Sequence, residues 1–293
     1  MLIHCASFFF TFPTKAIIIN AETMYKEFYG LNEYPFNVTS NPRFFFLSRK
    51  HKEAFSHLVY GIREKKGFLE ITGEIGTGKT TLCRMLLNQI DKSTKTAFIL
   101  NPDLSELQLL QSIIEDFGIN FMRKTKWDMI KHLNKFLLDE LTLGGNVVLI
   151  IDEAQNLKPR ALEQIRLLSN METENEKLLQ IVLVGQPELR DKLNSPNLAQ
   201  LRQRITVRYH ILPLDEDEIS DYINHRLSVA GANGSIIFGT DAVNGIYAYT
   251  QGVPRLINLV CDKALLLGYV LEQKNITDEI IQKSINEIEG RIQ

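Results

Sequence analysis

One stretch of fifteen residues, running from Gly67 to Thr81, constrains the fold of this chain more than any other. Within it two glycines stand five positions apart, and a lysine and a threonine follow directly; the segment reads Gly73, Glu74, Ile75, Gly76, Thr77, Gly78, Lys79, Thr80 and Thr81. Glycine tolerates positive φ and lets an anion approach the main chain, so this spacing is typical of a loop whose backbone N–H groups surround phosphate. Lys79 would then reach the outer phosphates of a nucleotide, and the Thr80 hydroxyl would bind Mg²⁺.

The residues on either side of this loop favour the same interpretation. Phe68 to Thr72 is a short apolar run typical of a buried strand, and Thr81 to Leu87 continues with helical spacing. The order strand, loop, helix suits phosphate binding because the helix N-terminus adds positive partial charge to the backbone amides. A chance glycine-rich turn is the alternative, and the complete motif in this setting argues against it.

A second motif begins at Val147, where five consecutive apolar residues precede Asp152 and Glu153. Such a run predicts a strand that is buried on both faces of a parallel sheet. Asp152 would hold Mg²⁺ at the end of this strand, and Glu153 would orient and activate the attacking water. Because acidic residues also suit a helix N-terminus, a simple helix cap is the alternative. The phosphate loop upstream favours the catalytic interpretation.

Gln186 is a candidate that depends on the order of the strands. It follows residues 180–185, an apolar run that predicts a further buried strand. If the sheet places that strand between the two motif strands, Gln186 lies near the γ-phosphate and helps to position water. Capping of the next helix is an equally good interpretation.

Arginines and aromatic residues supply the remaining candidates. Arg202 and Arg204 end a short helix at the rim of the sheet, where an arginine finger would enter the site of a neighbouring subunit; Arg204 is favoured, and a solvated helix end is the alternative. Tyr34 and Phe36 precede the phosphate loop and are candidates for an adenine platform, with core packing the more frequent role of such residues. Arg255 begins a helix and would contact the γ-phosphate, with a surface ion pair as the alternative.

Composition excludes several classes of protein. The chain has 293 residues, 44% of them hydrophobic, and a formal net charge of −2, which argues against a dedicated nucleic-acid binder. Cys5, Cys83 and Cys261 are too few and too scattered for a disulfide framework or a zinc site, so a cytoplasmic setting is expected. No apolar stretch is long enough to span a bilayer.

The chain divides into three predicted regions. Residues 1–23 are expected to be a disordered or mis-called extension, since regular sequence begins at Met24. Residues 24–212 are predicted to form an α/β nucleotide-binding domain. Residues 213–293, which begin with a capping-box pattern and carry four amphipathic helices, are predicted to form an all-α lid.

These motifs resemble those of the AAA+ ATPases, and among them the general secretion pathway protein A family. The resemblance extends over about residues 24–288. The matching segments within it are 29–31, 34–36, 68–81, 151–157 (Ile-Asp-Glu-Ala-Gln-Asn-Leu), 183–189 (Val-Gly-Gln-Pro-Glu-Leu after Leu183), 201–205 and 252–255 (Gly-Val-Pro-Arg). The resemblance implies a P-loop NTPase three-layer sandwich with a five-stranded parallel sheet of order 5-1-4-3-2 and a C-terminal helical lid. It also implies ATP and Mg²⁺ as ligands, Gln186 and Arg255 as the two sensors, and a ring or other homo-oligomer.

The function that follows is ATP hydrolysis coupled to movement of the lid. The resemblance implies a role in assembling or remodelling secretion or polysaccharide-export machinery, in the cytoplasm or peripherally at the inner membrane. An alternative is an ATP-dependent DNA-binding adaptor resembling transposition target-selection ATPases. Its basic surface would comprise Arg43, Arg49, Lys50, Lys52, Arg63, Lys65 and Lys66, diluted by Glu53 and Glu64. A nucleotide-gated scaffold with little turnover is the third hypothesis.

Overall fold

The computed structural model describes residues 24–120, 125–174 and 176–291. The predicted extension, residues 1–23, therefore lies outside the described residues. The described chain forms a sheet layered between helices, with a helical lid beside one edge of the sheet.

Five parallel strands form the sheet in the order β2-β3-β4-β1-β5, which is the predicted order read from the opposite edge. Their bounds are β1 Phe68–Gly73, β2 Thr94–Ile99, β3 Asn146–Ile151, β4 Gln180–Gly185 and β5 Ile205–Ile211. Parallel strands require crossover connections, and helices supply them here. The connecting helices are α3 Lys79–Gln89, α4 Glu106–Asp116, α5 Lys126–Thr142, α6 Pro159–Leu168, α7 Pro187–Leu193 and α8 Ala199–Arg202, while α2 Arg49–Arg63 precedes β1 and packs against the sheet.

The apolar run of β3 is buried on both faces, as its sequence predicts. Val147, Leu149 and Ile151 pack in one hydrophobic cluster with α4, α5 and α6. Val148 and Ile150 point the other way, into a cluster with α2 and α3. Because β4 lies between β1 and β3, the carboxyl ends of the two motif strands and of β4 meet at one edge of the sheet.

The lid contains four helices, α9 Ile219–Val229, α10 Thr240–Thr250, α11 Pro254–Val270 and α12 Asp278–Ile288. It is not entirely helical, because two-residue strands, β6 Ile237–Phe238 and β7 Asn275–Ile276, pair in parallel between the helices. The predicted capping box that opens the lid is present: the Asp215 side chain accepts from the backbone of Glu218, and the Glu218 carboxylate accepts from the Asp215 N–H.

Residues 24–36, which precede the sheet in the chain, pack with the lid. Helix α1, Met24–Tyr29, lies against α11, and the Tyr29 hydroxyl donates to the Leu265 carbonyl at 3.1 Å. Leu31, Phe36 and Phe44 share one hydrophobic cluster with the lid helices. The expected boundary between 212 and 213 therefore separates residues that are buried in one common core, because apolar contacts across more than 200 positions outweigh order along the chain.

No helix among the residues that the model describes combines the length and the apolar character needed to cross a membrane.

Candidate nucleotide site

The loop from Glu74 to Gly78 joins β1 to α3 and has the backbone that its glycines predict. Gly76 and Gly78 have φ values of 83° and 92°, in the left-handed region that favours glycine. Gly73 is required for a different reason, since a Cβ there would lie 2.8 Å from the Ile211 carbonyl oxygen. The loop thus leaves no room for side chains at its glycines.

Lys79 is the first residue of α3, and its side chain curls back into the loop. The ammonium donates to the carbonyl oxygens of Gly73 and Glu74, both at 2.8 Å. Burial lowers the pKa of Lys79, and the nearby carboxylates of Glu153 and Asp152 oppose that shift. A buried cation beside the backbone amides of this loop is a suitable binding partner for the outer phosphates of a nucleotide.

Thr80, in the first turn of α3, contacts Asp152, which follows β3. The Thr80 hydroxyl donates to Oδ2 of Asp152 at 2.5 Å, and Oδ1 of Asp152 accepts the Glu153 N–H at 2.9 Å. Burial is the main cause of the raised pKa of Asp152, and these two hydrogen bonds oppose it. A hydroxyl and a carboxylate oxygen in contact beside a phosphate loop fit Mg²⁺, which takes few protein ligands and completes its shell with phosphate and water. Within the described ranges, no group of three or more His, Cys, Asp or Glu residues is placed to hold a metal ion.

Glu153 follows in an unusual backbone conformation, with φ 51° and ψ 36°, which non-glycine residues adopt at a cost of about 1–3 kcal/mol. Its Oε2 accepts from the side-chain amide of Gln155 at 2.5 Å and from that of Gln186 at 3.2 Å. Gln186 makes no side-chain cap to α7, so its observed contact is with Glu153 and not with the helix end. The three side chains form one cluster beside the phosphate loop.

A cavity of about 350 Å³ lies over the loop, between the sheet and the lid. Its lining includes Ile75 to Thr81, Glu153, Gln186 and Arg255 from the predicted set. The rest of the lining comes from segments whose role sequence reasoning did not predict, namely 37–41, Phe44 to Phe46, His51, Leu214, Tyr222, Arg226, Pro254 and Asn258. Its size and mixed lining suit a nucleotide.

Tyr34 and Phe36 do not line this cavity, so the structure does not support them as an adenine platform. Phe36 is fully buried in the lid core, 6.3 Å from the Phe238 ring. Tyr34 packs edge-on against Tyr25 in the same region. The aromatic residues that line the cavity are instead Phe44 to Phe46, which follow in the chain, and Tyr222 of the lid.

His51, a residue that sequence analysis passed over, ties α2 to the phosphate loop. It is buried, and its Nε2 lies 2.8 Å from the Thr77 carbonyl oxygen while its Nδ1 lies 2.6 Å from the Ser48 hydroxyl. A carbonyl only accepts, so Nε2 carries the proton and donates. Burial lowers the pKa of His51, which keeps the ring neutral in this arrangement.

Arg255 lies near the start of α11 with its backbone docked on the phosphate loop. Its N–H donates to the Gly76 carbonyl at 3.3 Å, and a Cβ on Gly76 would lie 2.6 Å from the Arg255 Cβ. Its guanidinium is exposed at the cavity and has no hydrogen-bond or ion-pair partner among the described residues. The surface ion pair considered as the alternative is therefore not formed.

Arg204 lies at the amino ends of the strands, opposite the end of the sheet that carries the phosphate loop. It precedes β5, whose first residue pairs with Phe68 at the start of β1, so a whole strand separates it from the loop that follows β1. Its Nη1 donates to the Ser169 hydroxyl at 2.9 Å, whereas Arg202 donates to the Asn194 carbonyl at 3.2 Å. From this position Arg204 could only serve a site on another subunit.

Ion pairs occupy much of the basic surface that motivated the DNA-binding alternative. Arg49 pairs with Asp217 at 2.7 Å, Lys50 with Asp215 at 2.6 Å, and Lys65 with Glu176 at 2.5 Å. Arg43 pairs likewise with a carboxylate, that of Glu33. Phosphate binding would have to compete with these contacts.

Comparisons with known proteins agree with this fold and site. A family model described as an AAA domain matches residues 62–193. General secretion pathway protein A of Aeromonas hydrophila is 44% identical over 271 residues, which are 91% of this chain and 49% of that protein. This chain therefore spans about half the length of that relative.

Solved structures match the fold at low sequence identity. Cdc6p from Pyrobaculum aerophilum matches with a TM-score of 0.62 and 20% identity over 82% of this chain and 67% of that one. The RuvB Holliday junction branch migration motor of Thermotoga maritima matches with a TM-score of 0.55 and 17% identity over 81% of this chain and 68% of that one. The predicted fold class and the predicted resemblance are confirmed. The chain thus has the fold of a P-loop NTPase, contains a region that matches an AAA domain, and is similar over nine-tenths of its length to general secretion pathway protein A of Aeromonas hydrophila.

Proposed function

We propose that this protein is a Mg²⁺-dependent ATP hydrolase that works as a homo-oligomer to assemble or remodel a secretion or export complex. The observation that carries the proposal is the convergence of four side chains at one sheet edge. Thr80 lies against Asp152, and Glu153 lies against Gln186, all beside the phosphate loop. Such an arrangement provides a metal site, a base and a polar group to orient water within one cavity.

Each side chain has a distinct part in the proposed reaction. Mg²⁺, when bound, would neutralise phosphate charge, and Thr80 and Asp152 would hold it. Lys79 would exchange its carbonyl contacts for the β- and γ-phosphates. Glu153 would accept the proton of the attacking water, and Gln186 would orient that water toward the γ-phosphate.

The lid supplies the link between hydrolysis and movement. Its helix α11 contacts the phosphate loop through the Arg255 N–H, and Arg255 lines the cavity with a guanidinium that has no partner among the described residues. A γ-phosphate would bind this cation, whereas its loss would remove the attraction. The lid position would then depend on whether the site holds ATP or ADP. Arg204 would complete the site of an adjacent subunit.

The class of partner rests on similarity to general secretion pathway protein A, and the proposed location is the cytoplasm or the periphery of the inner membrane. The DNA-binding adaptor is disfavoured because carboxylates pair with Arg43, Arg49, Lys50 and Lys65. No observation in the described residues favours it over the first proposal.

Steady-state ATPase measurements on the purified protein test the proposal, with and without DNA and a cell-envelope fraction, and with sizing in each condition. We expect turnover that requires Mg²⁺, rises with the envelope fraction and accompanies assembly in ATP. Lys79→Ala should abolish nucleotide binding, and Glu153→Gln should retain binding and lose hydrolysis. Wild-type turnover in Glu153→Gln would refute the role of that carboxylate, and stimulation by DNA alone would favour the adaptor.

A further inference from the structure

The side chain of Gln155 connects two groups that the proposed reaction uses, and no role has yet been assigned to it. It lies in the short 3-10 turn Ala154–Asn156 that follows β3. Its amide nitrogen donates to Oε2 of Glu153 at 2.5 Å, and its amide oxygen accepts the backbone N–H of Gln186 at 3.1 Å. One carboxamide thus binds the proposed base with one end and the end of β4 with the other.

Several contacts fix Gln155 in this place. The Lys192 ammonium donates to its backbone carbonyl and, at 3.0 Å, to that of Leu157. At Gly185 a Cβ would lie 2.7 Å from Oε1 of Gln155, so glycine there leaves space for the amide oxygen. Helix α7 therefore fixes the backbone of Gln155, and the end of β4 fixes its carboxamide.

A positioned carboxylate needs a donor that stays with it throughout the reaction. Gln186 also donates to Glu153, but in the proposed function its side chain turns toward the γ-phosphate and water. Gln155 contacts Glu153 and Gln186 but does not itself line the cavity, so it can keep its bond to Glu153 whether or not a nucleotide is bound. This matters because general-base catalysis depends on the geometry of the base.

We propose that Gln155 is a positioning residue, which holds the Glu153 carboxylate for water activation and couples it to the end of β4 at Gln186. The proposal rests on the proposed ATP hydrolysis. It differs from a structural role because its effect must pass through Glu153. It also differs from an inhibitory clamp, which would keep Glu153 away from water and would raise turnover when removed.

Two variants of Gln155 test the proposal against a matched control. Gln155→Leu keeps a side chain of comparable size, one atom shorter, and removes both hydrogen bonds. Gln155→Glu keeps an oxygen for the Gln186 N–H but places a second carboxylate against Glu153. Asn156→Ala is the control, because Asn156 is exposed in the same turn and its side chain has no partner among the described residues.

We expect kcat to fall about 10- to 100-fold in both Gln155 variants, a part of the usual general-base contribution. The KM, the Kd for ATP measured without turnover and the thermal midpoint should stay within the range of Asn156→Ala. A double-mutant cycle gives the sharper test. In the Glu153→Gln background, followed by single-turnover kinetics with excess enzyme, Gln155→Leu should have no further effect.

An unchanged or raised kcat in Gln155→Leu would overturn the proposal, and so would an equal loss in the Glu153→Gln background or a loss that follows the thermal midpoint. Failure of the proposed function looks different. Wild-type protein would then bind ATP and show no turnover above Lys79→Ala, and that result would overturn both proposals.

Discussion

Replacing Gly76 by alanine should uncouple the lid from the phosphate loop. The residue has a φ of 83°, and a left-handed backbone costs an L-residue roughly 1–2 kcal/mol. The new Cβ would lie 2.6 Å from the Cβ of Arg255 and 3.2 Å from Cγ1 of Val253, so the start of α11 must move off the loop. The hydrogen bond from the Arg255 N–H to the Gly76 carbonyl would be lost, at about 1 kcal/mol.

Both free-energy costs weaken nucleotide binding. Without nucleotide the variant loop can relax, and ATP must then return it to the phosphate-binding conformation. Together they amount to roughly 2–3 kcal/mol, or a Kd for ATP about 30- to 150-fold higher. Gly144→Ala is the matched control: Gly144 has a φ of 69° and nothing within 4 Å of the added Cβ. It carries a similar backbone strain away from the site.

A fluorescent ATP analogue measures both Kd values, and thermal unfolding measures the strain. We expect Gly144→Ala to lower the thermal midpoint while binding ATP like wild type. Gly76→Ala should lose most of its affinity. Binding by Gly76→Ala within threefold of wild type would refute the inferred contact between lid and loop.

Three further predictions concern the candidates outside the phosphate loop. Arg255→Ala should weaken ATP about 10-fold, since a partly exposed charge-assisted contact is worth about 1–2 kcal/mol, and should leave ADP unchanged; equal losses for both nucleotides would argue against γ-phosphate contact. Arg204→Ala should be inactive alone but recover turnover when mixed with Glu153→Gln protein, because mixed neighbours rebuild complete sites; no recovery would place Arg204 outside the subunit interface. Phe36→Leu should reduce the free energy of unfolding by roughly 1 kcal/mol and leave the Kd for ATP unchanged, because Phe36 is a core residue. A higher Kd for ATP at unchanged stability would instead indicate that Phe36 contacts the adenine.

Local sequence patterns predicted the phosphate loop and the buried strand beside it. The glycine spacing of 73–78 indicates a phosphate loop without knowledge of any distant residue, and the apolar run before Asp152 indicates a strand buried on both faces. Both signals are local, because consecutive residues determine the conformation of the loop backbone and the burial of the strand. The place of β4 between the motif strands came only through the resemblance.

Contacts between distant segments could not be predicted in this way. The position of Phe36 depends on packing of residues 24–46 against lid helices that begin only at Ile219, and nothing in the sequence around Phe36 indicates that core. The role inferred for Gln155 depends on two loops meeting, one after β3 and one after β4. Composition likewise could not show that carboxylates pair with Arg49 and Lys50 on the candidate basic surface.

Binding of Mg²⁺ and ATP at the loop is the central claim, and calorimetric titration tests it most directly. Wild-type protein should give a saturable heat close to one ATP per chain, and Lys79→Ala should give none under the same conditions. The same heat in both proteins, or no saturable heat in wild type, would contradict the account.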